Sequence, residues 1–125
     1  MEVGEAAEGR REERLVETLL TNAAKGRGGV LGLDETLGSI REGRVHTLVI
    51  RDGFRASGQR CSSCGYLTAK DLDACPFCGG SFVKIPDAVD EAVRRVMTTG
   101  GDVEVLHAEQ TRQNKFENIG AILRY

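Results

Sequence analysis

All four cysteines of the chain lie in one stretch, "RCSSCGYLTAKDLDACPFCGG", residues 60–80. Cys61, Cys64, Cys75 and Cys78 read C-x2-C-x10-C-x2-C. A two-residue gap lets both sulfurs of a pair reach one centre from a tight turn. Two such turns facing each other make a tetrahedral site of four sulfurs, for which Zn²⁺ is the default occupant. Iron fits the same ligands. A thioredoxin-like redox role would need only one pair, and an iron–sulfur cluster is less expected with the pairs so close.

Gly65 and Gly79 directly follow the two pairs, where the chain must bend so that backbone N–H groups face the thiolates. Such donors stabilise a negative sulfur cluster. Pro76 stiffens the second turn. Tyr66, Leu67, Leu72 and Phe77 are too few to make a separate core. A metal held by four protein thiolates would therefore act as a staple. It would leave no open position for water or substrate, while supplying roughly 10–16 kcal/mol of apparent binding energy, as in small zinc peptides.

The rest of the 125 residues is one domain's worth of chain. Leu15, Val16, Leu19, Leu20 and Ala23 recur at three- and four-residue steps, which predicts a helix from about Arg10 to Lys25. Residues 1–9 read as a flexible start. "GRGGVLG", residues 26–32, lacks the GK[ST] of a P-loop and reads as a turn and a short strand at Val30–Leu31. Asp34 offers an N-cap for a second helix, with Leu33, Leu37 and Ile40 on one face and Gly43 at its end. "RVHTLVIRD", residues 44–52, is a β-branched run that suits a strand covered on both faces.

"GFRASGQR" leads through a turn and a strand into the cysteine segment, an insertion spanning 58–84. After it, Pro86 reads as the first turn of a helix. Val89, Ala92, Val93, Val96 and Met97 form its apolar stripe, with Met97 as core filler, and Gly100 and Gly101 stop it. Strands at 102–107 and 119–125 follow, separated by a polar loop. Such alternation predicts helices on both faces of a parallel or mixed sheet.

Seventeen basic against nineteen acidic residues give a net charge of −2. That balance argues against a chain that coats nucleic acid, which is usually strongly basic. Arg51, Arg55 and Arg60 form one local basic group before the cysteines, opposed only by Asp52. Aromatics are 5% of the chain, which weakens any platform for stacked bases. No apolar run approaches the roughly 20 residues of a membrane span. "MEVGEAAEGRREERL" lacks the apolar centre of a signal peptide. The expectation is a cytoplasmic chain, in which thiols stay reduced. His46 and His107 are isolated, and no nucleophile motif, HExxH or recognisable carboxylate pair appears. The residues show no active site.

Two segments carry a family resemblance. "GVLGLDETLGSIREGRVHTLVI", residues 29–50, resembles the opening strand–helix–strand of the third domain of archaeal and eukaryotic class-1 peptide-chain release factors. "IGAILRY", residues 119–125, resembles the strand that ends that domain. The cysteine segment between them is similar to a minidomain of archaeal members, and the "ILRY" end looks most like bacterial relatives.

The resemblance covers roughly residues 11–125. It implies a three-layer α/β/α sandwich related to the L7Ae and Pelota fold, with an inserted four-cysteine zinc ribbon. It also implies a non-catalytic module that docks the ribosome or a translational GTPase; the ribbon and Arg51, Arg55 and Arg60 are expected on the surface that meets the partner. The Gly-Gly-Gln motif of the family's release-catalysing domain is absent. "SGQR", residues 57–60, holds a Gly-Gln but lacks the first glycine. By itself the chain is expected to be a docking module, either the end of a longer protein or a stand-alone relative. The alternative is a nucleic-acid-binding zinc-ribbon protein outside translation.

Overall fold

A computed structural model describes residues 3–107 and 118–124, with side chains from Glu12 onward. The elements follow in the order α1 (Val3–Ala24), β1 (Gly29–Leu31), α2 (Leu33–Arg41), β2 (Val45–Arg51), β3 (Gly58–Cys61), β4 (Leu67–Thr68), β5 (Phe82–Ile85), α3 (Ala88–Thr98), β6 (Asp102–Leu106) and β7 (Ile119–Leu123). The strands form two sheets. The larger has the order β1-β7-β2-β6 and the smaller the order β4-β3-β5.

The larger sheet is mixed. β2 and β6 run parallel, from Thr47↔Asp102 to Arg51↔Leu106, while β7 lies antiparallel to both β1 and β2. The last described strand thus sits in the middle of the sheet. Its residues Ile119, Ala121 and Leu123 are buried.

Each face of this sheet has its own apolar layer. Val16 and Leu19 of α1 pack on Val49 and Leu106. Leu37 and Ile40 of α2, with Val89, Ala92 and Val96 of α3, pack on Leu48, Ile50 and Ala121. β2 feeds alternate residues to both layers, because side chains alternate across a strand. The result is the helix–sheet–helix sandwich expected of the pattern, with the sheet mixed.

The helix boundaries differ from expectation in three places. α1 begins at Val3 rather than near Arg10. Glu5, Ala6, Ala7 and Glu8 are good helix formers and carry the helix upstream of its apolar stripe. The N-cap of α2 is Gly32, without a side-chain cap, so Asp34 lies within the first turn. There its charge favours the helix N-terminus without capping it. α3 is capped by Asp87, whose carboxylate accepts the N–H groups of Val89 and Asp90 at 3.0 and 3.3 Å. Pro86 therefore precedes the helix.

Met97 is a further correction. It is 64% exposed and fills no core. The α3 stripe closes at Val96, since Gly101 packs its backbone against that side chain. The polar loop expected at 108–118 lies outside the described residues apart from Asn118. No described helix is long and apolar enough to cross a membrane.

Candidate metal centre

The smaller sheet carries the cysteines. β3 is its central strand, paired antiparallel with β4 over Gln59↔Thr68 and Arg60↔Leu67, and with β5 from Gly58↔Ile85 to Cys61↔Phe82. Cys61 and Cys64 open the first turn, between β3 and β4. Cys75 and Cys78 form the second, ahead of β5. Both turns close alike: the Gly65 N–H bonds to the Cys61 carbonyl at 3.0 Å, and the Gly79 N–H to the Cys75 carbonyl at 2.8 Å. Gly65 and Gly79 hold φ values of 84° and 77°. An L side chain adopts this left-handed region poorly.

The four sulfurs lie within 4.8 Å of one another. The shortest approaches cross between the turns: Cys61 to Cys78 at 3.4 Å and Cys64 to Cys75 at 3.6 Å. A tetrahedral zinc with Zn–S bonds of about 2.3 Å places its sulfurs roughly 3.8 Å apart. The set therefore fits one tetrahedral ion. Cys61 and Cys75 are buried, and Cys64 and Cys78 are exposed.

Backbone donors face the sulfurs. The N–H groups of Ser63 and Cys64 point at Cys61 Sγ, each at 3.4 Å, and that of Gly80 points at Cys78 Sγ at 3.4 Å. The Cys64 N–H leads in holding the Cys61 thiol down at about 6, with burial opposing it. For Cys75, burial raises the thiol, but the Phe77 and Cys78 N–H groups and neighbouring sulfurs outweigh it, and the net direction is down. The Gly80 N–H favours ionised Cys78. The Cys61 sulfur, burial, and the Cys64 and Cys75 sulfurs overcome it, and Cys78 is pushed up to about 12. Negative charge thus gathers on some sulfurs while another keeps its proton. This is the behaviour of a cluster that needs a cation to ionise fully.

The ribbon is fastened to the sandwich. Leu67 is buried in the same apolar cluster as Ile85 and Ala88. An Arg95 Nη donates to the Gly65 carbonyl at 2.9 Å, tying α3 to the first turn. The Arg41 guanidinium at the end of α2 lies 3.5 Å from the centre of the Phe77 ring, in the second turn. Phe77 also meets Tyr66 edge-on, with ring centroids 4.8 Å apart. Arg60 reaches Glu91 of α3 at 3.5 Å.

Arg41, Glu91 and Arg95 are the site residues that sequence reasoning missed. In sequence they read as polar faces of helices, and nothing in their spacing points at residues so far along the chain.

The three arginines expected on a partner face sit differently. Arg51 ends β2, and its Nε donates to Asn118 Oδ1 at 2.9 Å. Arg55 is exposed in the loop after β2. Arg60 belongs to the smaller sheet and is held by Glu91. His46 is exposed, with Nδ1 2.8 Å from Thr47 Oγ1, and His107 Nδ1 lies 3.3 Å from Asp52 Oδ2.

Residues 10–125 match the family described as eRF1 domain 3. The chain belongs to that family. No curated protein matches it. Among solved structures, its fold is similar to the C-terminal domain of a peptide chain release factor from Methanosarcina mazei. The TM-score is 0.64 at 24% identity, over 97% of this chain and 85% of that one. Pelota from Archaeoglobus fulgidus gives 0.63 at 21% identity, over 97% of this chain and 31% of that one. Saccharomyces cerevisiae Dom34, described as a translation termination-like factor interacting with Hbs1, gives 0.56 at 16% identity, over 93% and 27%. The eRF1 domain 3 chain thus corresponds to under a third of Pelota and Dom34. Membership makes it a translation-related module.

Proposed function

We propose that this chain is a non-catalytic docking module of translation in the cytoplasm, which contacts the ribosome or a translational GTPase. Zn²⁺ held by Cys61, Cys64, Cys75 and Cys78 would staple its ribbon. The observation that carries the reading is the family match across residues 10–125, which includes the cysteine ribbon. The described interaction of Dom34 with Hbs1 supports a protein partner. A ribbon fastened by Arg41, Arg60 and Arg95 supports a rigid projecting surface, since an ordered surface loses little entropy on binding. Of Arg51, Arg55 and Arg60, Arg55 has its charge most available, because Arg51 and Arg60 already hold Asn118 and Glu91.

The test is co-sedimentation of the chain with ribosomes from its own source at two salt concentrations, beside a Cys75→Ser variant. A parallel binding assay uses a purified translational GTPase from that source. Binding in either assay that weakens in the variant is the expected result. Binding in neither overturns the reading. Binding to free RNA alone, with a steep loss on adding salt, would indicate a nucleic-acid-binding ribbon instead.

A further inference from the structure

Each exposed sulfur of the cluster has a buried sulfur beside it, contributed by the other turn. Exposed Cys78 lies 3.4 Å from buried Cys61, and exposed Cys64 lies 3.6 Å from buried Cys75. The shortest sulfur–sulfur approaches therefore run across the turns and not along either CxxC.

Groups other than the sulfurs bring the turns together. The Ser62 N–H donates to the Ser81 carbonyl at 2.9 Å, and the Ser62 hydroxyl donates to the same oxygen at 3.0 Å. The Cys75 N–H donates to the Gly80 carbonyl at 2.9 Å, which closes the second turn. Gly80 passes so close to the first turn that a Cβ on it would stand 2.7 Å from Ser63 Oγ and 3.2 Å from Cys61 Sγ. Bonds in which no sulfur takes part thus hold each exposed thiol against its buried neighbour. An accessible sulfur poised next to a resolving one is the arrangement of a redox-sensitive pair.

We propose that the cluster is a peroxide-responsive site, in which oxidation joins Cys61 to Cys78 and Cys64 to Cys75. The exposed Cys78 thiolate attacks one oxygen of a hydroperoxide. The O–O bond breaks, Cys78 becomes a sulfenic acid, and the other oxygen takes a proton and leaves as water or an alcohol. The Cys61 thiolate then attacks the Cys78 sulfur. The S–O bond breaks, the S–S bond forms, and the departing hydroxide takes a proton to become water. Two electrons pass from the sulfurs to the peroxide. Cys64 and Cys75 follow the same course with a second hydroperoxide. A sulfur held in a disulfide cannot supply the thiolate that metal binding requires, so the ion is lost as the bonds form. The two cross-turn bonds then join the turns in its place. In a compartment that keeps thiols reduced, such bonds are transient and report an oxidant. Loss of the ion rests on the zinc staple proposed above, whereas the pairing rests on the sulfur geometry alone.

Trypsin cuts after Arg60, Lys70 and Lys84, so Cys61 and Cys64 fall on one peptide and Cys75 and Cys78 on another. The full chain, zinc-loaded or metal-free, is treated with hydrogen peroxide, its remaining thiols are blocked, and it is digested without reduction. Residues 61–70 and 71–84 are expected as one linked peptide, at least tenfold over separate peptides bridged within their own CxxC. Fragmentation should place the bonds at Cys61–Cys78 and Cys64–Cys75. The zinc-loaded chain should release its metal to a chromogenic chelator in step with linking, and dithiothreitol should separate the peptides and restore metal binding. Three outcomes overturn the proposal: bridges within each CxxC, sulfinic or sulfonic acids in place of disulfides, or metal retained by the loaded chain under excess peroxide. An untreated chain that binds no zinc would overturn the staple instead, and the metal-free sample would still decide the pairing.

Discussion

The Arg95 guanidinium and the Gly65 carbonyl meet at 2.9 Å, joining a helix of the sandwich to the first turn of the cysteine cluster. The bond matters because Gly65 is also the residue whose N–H closes that turn onto Cys61. Ordering of the turn and docking of the ribbon therefore share one residue. Arg95→Ala leaves a partly buried carbonyl without its charged donor, which costs about 1–3 kcal/mol. Denaturant unfolding of the metal-loaded protein should show that loss. Arg95→Lys should recover only part of it, since lysine lacks the planar fork. Unchanged stability in Arg95→Ala would mean that Leu67, Arg41 on Phe77 and Arg60 on Glu91 hold the ribbon without it.

Cys75→Ser removes a buried sulfur of the cluster and should abolish metal binding, as read by metal analysis of the dialysed protein. Amide exchange should then speed up through residues 58–85 and change little in β2 and β7, whose packing is separate from the turns. Equal loss of protection in both sheets would show that the sandwich itself depends on the metal.

Metal affinity should fall as pH falls. All four sulfurs must be ionised to bind, so every proton held by the metal-free protein is released on loading. With Cys78 up at about 12, at least one proton leaves at neutral pH. Cys61, at about 6, is largely ionised there and adds a further proton only below that value. Each proton released makes the affinity fall about tenfold per pH unit. Chelator competition between about pH 5 and about pH 8 should therefore steepen below pH 6. A slope that does not change through that point would place the Cys61 thiol elsewhere.

Gly120→Ala should destabilise the sandwich. A Cβ there would stand 2.8 Å from Leu19 Cδ2 and 2.8 Å from the Val30 carbonyl oxygen. The leucine could turn, but the oxygen belongs to the β1 backbone, so β7 and β1 would have to separate. Overpacking of this kind costs about 1–3 kcal/mol. Gly38→Ala is the contrasting change, since nothing lies within 4 Å of its Cβ position in α2. It should stabilise by about 0.5–1 kcal/mol, because glycine is a poor helix interior residue. Thermal unfolding of both variants checks the opposite signs.

Much of this architecture is readable along the chain. The stripe of Val89, Ala92 and Val96 marks α3 because burial on one helix face imposes the 3.6-residue period, and the two-sided burial of β2 shows as an apolar run. The errors come at ends and edges. Asp34 and Pro86 are both good helix-start residues, but each sits off the position expected of it, since capping depends on where the backbone turns. Met97 fits the stripe and yet faces solvent, because the helix ends within the next turn and no described element covers it.

The gathering of the four sulfurs and the two tight turns follow from the cysteine spacing, since a CxxC turn brings its sulfurs together whatever surrounds it. The alternation of helices and strands is equally a local property, because each hydrophobic period is written in neighbouring residues. How the ribbon sits and which strand stays open emerge only when the chain is folded. Arg41 and Arg95 reach the turns from helices distant in the chain, and β6 lies at the edge because β7 inserts between β1 and β2. Both depend on strand order and helix docking, which are properties of long-range packing.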